Sequence, residues 1–184
     1  MPLDRQKTWI SAPRALALLT VLTPALTPAP ASAETCFRQC LASRVTSSEA
    51  TDDQIRFEMK GCRDRCEAEV KAEAERRGLT KALAACKPEP VSIEEFRAIR
   101  GASPSYVVQS NAFTWDLKNP LPDKIVREVE IVTQTMSLAD TEMTAPATVL
   151  PGEQSTALVA GFFDGYPNAR YATRVKAIWA CPIR

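Results

Sequence analysis

Apolar and polar residues recur with two different periods, and the change of period falls near residue 101. Between residues 51 and 78, apolar side chains recur every three or four residues, which is the repeat of one helix face. These positions are Ile55, Met59, Cys62, Cys66 and Val70. After residue 103 the period is two, as in Phe113, Trp115 and Leu117, which is typical of β-strands. The pattern predicts helices first and strands afterwards.

Start and stop signals bound the predicted helices. Thr51 with Gln54, and Ser92 with Glu95, each form the pattern of a capping box at a helix start. Gly78 is a suitable end for the long helix, and a shorter helix is expected over 79–86. Prolines 88 and 90 then break the chain, and the helix after Ser92 is expected to end near Arg100.

The cysteines follow a spacing that predicts how they pair. They are Cys36, Cys40, Cys62, Cys66, Cys86 and Cys181, and the first four form two C-x3-C pairs separated by 21 residues. Residues i and i+4 share a helix face, so each pair directs two sulfurs from one side of a helix. Along two antiparallel helices the residue number rises in one helix as it falls in the other, so the two residue numbers of each bonded pair have the same sum. Cys36 with Cys66 and Cys40 with Cys62 both sum to 102, whereas the crossed pairs give unequal sums. We therefore predict the bonds Cys36–Cys66 and Cys40–Cys62.

Cys86 and Cys181 remain, one on each side of the C-terminal half. A bond between them would tie the helical part to the last strand, and the alternative is two free thiols or an intermolecular bridge. Four thiolates in the C-x3-C pairs are a second alternative, as ligands for Zn²⁺ or Cu⁺. An even number of cysteines in an exported chain favours disulfides.

The twin C-x3-C arrangement over residues 36–66 resembles the helical hairpin of the small translocase chaperones of the mitochondrial intermembrane space. That resemblance implies a stapled hairpin alone, without the chaperones' role in holding clients.

The second half of the chain contains strands separated by turn signals. Residues 119–123 and Pro151-Gly152 are turn clusters, and strands are expected over 125–135, 154–163 and 171–181. The last strand places Trp179 and Cys181 on one face, which we expect to point toward the core. Short strands without helical interruption predict an antiparallel β-sandwich.

The sequence Asn119-Pro120, the Val/Ile-rich strand after it and Leu150-Pro151-Gly152 resemble FxLyD-type and related immunoglobulin-like modules of exported bacterial proteins, over about residues 105–181. The resemblance implies an immunoglobulin-like sandwich that serves as a binding or spacer unit. The predicted fold class is α+β: an N-terminal disulfide-stapled antiparallel α-hairpin followed by a C-terminal antiparallel β-sandwich.

The N-terminus has the layout of a secretory signal peptide. Arg5, Lys7 and Arg14 precede an apolar run at 15–22, and Ala31-Ser32-Ala33 is an A-x-A cleavage pattern. A largely apolar run of eight residues is too short to span a membrane. We predict a signal peptide over 1–33 cut after Ala33, a helical region over 34–100, a β-sandwich domain over 101–184, and a periplasmic or secreted product without stable membrane insertion.

Composition excludes several kinds of chemistry. The 184 residues contain no His, which excludes Ser-His-Asp and Cys-His nucleophiles, His metal sites and His-ligated haem. Only 6 Gly are present, and no phosphate-cradling loop is found. The 23 Lys and Arg nearly balance 22 Asp and Glu, so no charge excess points to nucleic acid. We predict no catalytic residue, no metal and no cofactor.

The leading hypothesis is a non-catalytic exported binding or structural protein that mediates contacts with a protein partner in the periplasm. Phe162 and Phe163 are adjacent, so in a strand they face opposite ways, and Tyr166 follows closely. We predict a contact patch at these three aromatic residues.

Two alternatives remain open. A small carboxylate-dependent hydrolase would need two acids in one cleft, with Asp116, Glu128, Glu130 and Asp164 as candidates. Alternatively, the charged face of the second helix is itself an interaction surface.

Overall fold

A computed structural model describes residues 34–109, 111–134, 138–161 and 172–183. It contains four helices and seven strands in these ranges. The helices are α1 (Cys36–Arg44), α2 (Asp52–Arg76), α3 (Thr80–Ala84) and α4 (Ile93–Ala102). The strands are β1 (Glu89–Pro90), β2 (Val107–Gln109), β3 (Ala112–Lys118), β4 (Lys124–Gln134), β5 (Asp140–Val149), β6 (Gln154–Ala160) and β7 (Thr173–Pro182). The predicted signal peptide over 1–33 lies outside the described residues.

The strands form two antiparallel sheets that face each other. One sheet has the order β1-β7-β4-β5 and the other β2-β3-β6. Alternate side chains of both sheets point inward, and the core between them includes Phe113, Trp115 and Leu117 from β3 and Val129 and Ile131 from β4. All five of these side chains are fully buried, so the period-two pattern of the sequence is the inner face of a sandwich.

Helix α4 packs against the same core. Ile99 is fully buried among the core residues, and Ser103 follows the helix with its hydroxyl bonded to the Ile99 carbonyl at 2.7 Å. Glu95 completes the capping box with Ser92 and also pairs with Lys124 at 2.6 Å. The hydrogen bond from the Lys124 ammonium lowers the pKa of Glu95. Both predicted capping boxes are present, since Thr51 and Gln54 form the other.

Helices α1 and α2 form the predicted stapled hairpin. The bonds Cys36–Cys66 and Cys40–Cys62 are both present, and both pairings are confirmed. A third bond joins Cys86 to Cys181. The apolar stripe of α2 is also confirmed, because Met59 is buried beside Cys62 and Cys66.

The hairpin covers the outer face of the three-stranded sheet. Its buried cluster includes Leu158 of β6 and Ala112 of β3. Polar contacts extend this interface, because Asp116 of β3 accepts hydrogen bonds from Arg38 at 3.0 Å and from Thr156 at 2.6 Å. The hairpin therefore adds a third layer to the sandwich.

The C-terminal end of α2 and helix α3 pack over the start of β4. Ala74, Ile125 and Leu150 form a buried cluster there. Cys181 is buried near this end of the sheet, and its bond to Cys86 ties the chain after α3 to the last strand. In the described part of the chain, no helix has the length and apolar content needed to cross a bilayer.

The α+β fold class is confirmed. The observed strands lie within one to three residues of the predicted ones where both are described, but the sequence pattern predicted neither the short β1, where only a break was expected, nor β5. The inward orientation expected for Trp179 was wrong. Lys176 is an extra residue where the pairing of β7 with β4 shifts register, so Ile178 and Ala180 face the core and Trp179 faces away.

Removing one staple tests how far the hairpin depends on covalent bonds. We expect the double variant Cys40→Ser/Cys62→Ser to lose about 2–4 kcal/mol of unfolding free energy, because the bond constrains the unfolded chain. Urea unfolding without reductant measures the loss. Cys36→Ser/Cys66→Ser removes the other staple and should show a loss of similar size. A urea midpoint equal to that of the unmodified protein would show that this disulfide does not stabilise the fold.

Candidate functional site

A groove lies between the N-terminal half of α2 and the strands β5 and β6. Its volume is about 440 Å³. Helix α2 provides one wall, with Asp53, Arg56, Phe57, Lys60 and Arg63. Strands β5 and β6 and the residue after β6 provide the other, with Thr144, Pro146, Leu158, Val159, Ala160 and Gly161.

The helical wall is basic. Arg56, Lys60 and Arg63 have i, i+4 and i+7 spacing, which places them on one face of α2. Arg56 pairs with Asp53, and Arg63 pairs with Asp64 at 2.9 Å. Lys60 forms no ion pair with any residue that the structure describes. The wall therefore presents one uncompensated ammonium between two guanidinium groups.

Phe57 adds an apolar surface to the basic wall. Its side chain is 75% exposed, which is the highest value among the large apolar residues of the described chain. Because the apolar stripe of α2 already packs on the sheet through Met59 and Cys62, Phe57 has no part in that interface. An exposed aromatic ring beside cations is a common feature of binding surfaces.

The opposite wall consists of two sheet edges. Strand β5 ends the four-stranded sheet and β6 ends the three-stranded sheet. Within the described ranges, β5 pairs with β4 alone and β6 pairs with β3 alone. Pro146 lies in β5, as expected for an edge strand, since proline has no N–H to give to a neighbouring strand.

Glu67 joins α2 to β5 about one helical turn beyond Arg63, the last helical residue that lines the groove. One carboxylate oxygen accepts the backbone N–H of Thr148 at 2.9 Å, and the other accepts the Thr148 hydroxyl at 2.9 Å. Arg127 also donates to that hydroxyl, at 3.0 Å. The carboxylate thus fixes α2 to the β5 edge, and the groove opens from this point toward the start of α2.

The staples determine where the basic wall lies. Met59 and Cys62 are buried against Leu158, and the basic residues occupy the adjacent face of the same helix turns. Cys62 is bonded to Cys40 in α1, which itself packs on the sheet. The groove width therefore depends on the disulfide-linked hairpin rather than on contacts inside the groove.

The chemistry available in the groove is binding of anions. Three bases and one acid line it, and an ion pair with a carboxylate ligand is the interaction that this set favours. Neither wall provides a nucleophile beside a base.

The predicted contact patch cannot be compared directly, because Phe162, Phe163 and Tyr166 lie outside the described residues. In sequence they follow Gly161, which lines the groove. Sequence reasoning missed the groove because a helix face with mixed charges also fits simple solvation. The available signal was the i, i+4, i+7 repeat of bases with an apolar ring beside it.

Among the described candidate carboxylates of a hydrolase, Asp116 lies apart from Glu128 and Glu130, which are two residues apart in one strand. Asp116 lies on the outer face of the three-stranded sheet beneath α1, whereas Glu128 and Glu130 lie in β4 of the other sheet. A hydrogen bond from the Lys176 ammonium at 2.8 Å lowers the pKa of Glu130, opposite to the shift that a general acid needs. Asp164 lies outside the described residues. The six cysteines are all in disulfides, so none offers a thiolate to a metal.

Comparisons with known proteins give no relative. No family model matches the chain, and neither the curated proteins nor the solved structures include a significant match.

Glu67 can be tested as the contact that holds α2 to β5. We expect Glu67→Ala to lower the unfolding free energy by about 1–2 kcal/mol, because the Thr148 N–H loses a charged acceptor. Chemical denaturation measures the change. Glu69→Ala is the control, since its ion pair with Arg65 is half-exposed and should contribute little. Equal stability of the two variants would contradict this role for Glu67.

Proposed function

We propose that this chain is an exported, non-catalytic binding protein that takes up an acidic segment of a partner protein in the groove between α2 and β5. The observation that carries the proposal is the basic face of Arg56, Lys60 and Arg63 opposite the edge of β5, which pairs with β4 alone in the described ranges. Carboxylates of a partner would pair with these cations, as in other charge-complementary interfaces.

The positive groove does not follow from the overall charge. Without residues 1–33 the chain loses three of 23 bases and one of 22 acids, which leaves 20 against 21 and a net charge of −1. The groove lining nevertheless has three bases and one acid; Asp53 pairs with Arg56 and Asp64 pairs with Arg63, so the excess positive charge is centred on Lys60. Local concentration of charge on a nearly neutral protein supports a directed interaction.

A protein segment suits the groove better than nucleic acid. Specific nucleic-acid binding usually needs many phosphate contacts along a basic surface, and the groove offers three cations. Phe57 and Pro146 add apolar surface that a polypeptide can contact. The proposal includes the immunoglobulin-like sandwich that the sequence resemblance suggests, because modules of that kind serve as binding units.

Export is the second part of the proposal. Three disulfides pair every cysteine, and this usage is typical of proteins that fold in an oxidising compartment. The basic, apolar and A-x-A succession over 1–33 supports removal of a signal peptide and a periplasmic location. A protein partner in that compartment completes the proposal.

The acidic specificity can be tested with a labelled octaglutamate peptide. We expect binding by the disulfide-bonded chain 34–184 and a loss of about tenfold for Lys60→Glu, which removes an attraction and adds a repulsion. Fluorescence anisotropy at low salt measures the affinity.

Lys71→Glu is the matched control, since Lys71 is exposed on the same helix about 16 Å further along its axis and does not line the groove. It should retain nearly full affinity. Equal losses for the two variants, or equal binding of octalysine, would refute an acidic-segment site in the groove.

Processing and oxidation can be tested together. We expect full-length chain produced in a Gram-negative host to yield a periplasmic product that begins at Glu34. Peptide mapping by mass spectrometry without reduction should give the linked pairs Cys36–Cys66, Cys40–Cys62 and Cys86–Cys181. A product that keeps residues before Ala33, or that contains free thiols, would contradict export with oxidation.

A further inference from the structure

We propose that the acidic partner segment binds as an extended strand that adds to the edge of β5. This inference rests on the proposed function and specifies its binding mode. The segment would extend the four-stranded sheet by one antiparallel or parallel strand, with main-chain hydrogen bonds to β5 and carboxylates directed at the basic face of α2.

The β5 edge has backbone groups available for such a strand. A sheet tolerates proline at edges and bulges, where its nitrogen gives no hydrogen bond to a neighbouring strand, and Pro146 lies in an edge strand beside a register shift. We infer that its nitrogen faces the groove. Backbone N–H groups two residues apart point the same way, which directs the N–H of Thr144 to the same side. Thr144 and Pro146 both line the groove, as this orientation requires.

Glu67 shows within the chain how a carboxylate engages this edge. Its two oxygens take the N–H and the hydroxyl of Thr148, each at 2.9 Å. On α2 the groove residues precede Glu67, and on β5 they precede Thr148. Seen from this contact, the groove therefore extends toward the N-terminal end of both elements. A partner segment placed there would continue along the β5 edge from the position that Glu67 occupies.

The spacing of the cations suits alternate carboxylates. With a rise of about 1.5 Å per residue, Arg56 and Lys60 are about 6 Å apart along the helix axis, and Lys60 and Arg63 about 4.5 Å. Alternate residues of a strand are about 6.7 Å apart. Long Arg and Lys side chains can bridge the difference between the spacing of the cations and that of alternate strand residues. Every second residue of the segment would therefore be acidic.

Side chains between the acidic positions point to the other face of an added strand. On that side the groove offers Val159, which is partly exposed and points to the face of β6 opposite Leu158, whereas Leu158 itself is buried beneath α2. The expected ligand is therefore a segment in which Glu or Asp alternates with Val, Ile or a similar β-forming residue.

Backbone methylation tests the binding mode with the protein unchanged. The probe is a capped, labelled eight-residue peptide of alternating Glu and Val, and two further peptides carry N-methyl groups on all Glu or on all Val amides. An added strand turns only one set of amides toward β5, so one methylated peptide should bind at least about tenfold more weakly and the other should bind nearly as well as the parent. Anisotropy with the disulfide-bonded chain 34–184 gives the affinities.

The outcomes separate binding mode from function. Equal affinity of both methylated peptides would overturn strand addition and leave the acidic-segment proposal standing, as would failure of the Glu-Val peptide where octaglutamate binds. Failure of the Glu-Val and octaglutamate peptides together would overturn both proposals. Binding to phosphatidylglycerol vesicles without binding to either peptide would assign the basic face to lipid and overturn both.

Discussion

The two bonds between α1 and α2 are the constraint on which the hairpin, and the groove beside it, depend. Helix α1 has nine residues, which is too short to persist alone in water. Helix α2 has 25 residues, yet buries only Met59, Cys62, Cys66 and Ala74. Two helices with so little apolar surface cannot hold a fixed mutual register by burial alone. The bonds Cys36–Cys66 and Cys40–Cys62 set that register covalently, and the hairpin then meets the sheet as one body.

The fixed hairpin explains why a groove exists between two otherwise packed layers. Near the staples, α2 lies on the sheet through Met59 and Leu158. Toward β5 the contact beside the groove is polar and is made by the carboxylate of Glu67 on Thr148, and apolar contact resumes only further along α2, where Ala74 meets Leu150. Since a rigid helix cannot bend into the remaining space, Arg56, Lys60 and Arg63 stay separated from Thr144 and Pro146. The groove is thus a consequence of the fixed position of α2 rather than of small side chains along its walls.

Features set by local geometry could be predicted from the sequence, and features set by distant pairing could not. The disulfide pairing follows from helix periodicity, and the capping boxes at Thr51 and Ser92 from a four-residue pattern. Strand β5 was missed because its inward positions include Ala145 and Ala147, which carry a weak apolar signal. The predicted orientation of Trp179 was wrong because the register shift at Lys176 depends on how β7 pairs with β4. The groove could not be predicted from the sequence either, because it forms only where the basic face of α2 lies opposite β5, and that placement is set by the tertiary structure.

An open strand edge normally risks pairing with a second copy of the same chain, and the basic face changes which strands can approach. Natural sheets often protect their edges with charged residues, and here the charges come from the neighbouring helix. A second β5 edge would bring its own α2 cations toward Arg56, Lys60 and Arg63, so two copies would repel each other. A strand that carries carboxylates meets attraction at the same place. Under the proposed function, the charge of α2 would favour a partner strand that carries carboxylates over a second copy of β5.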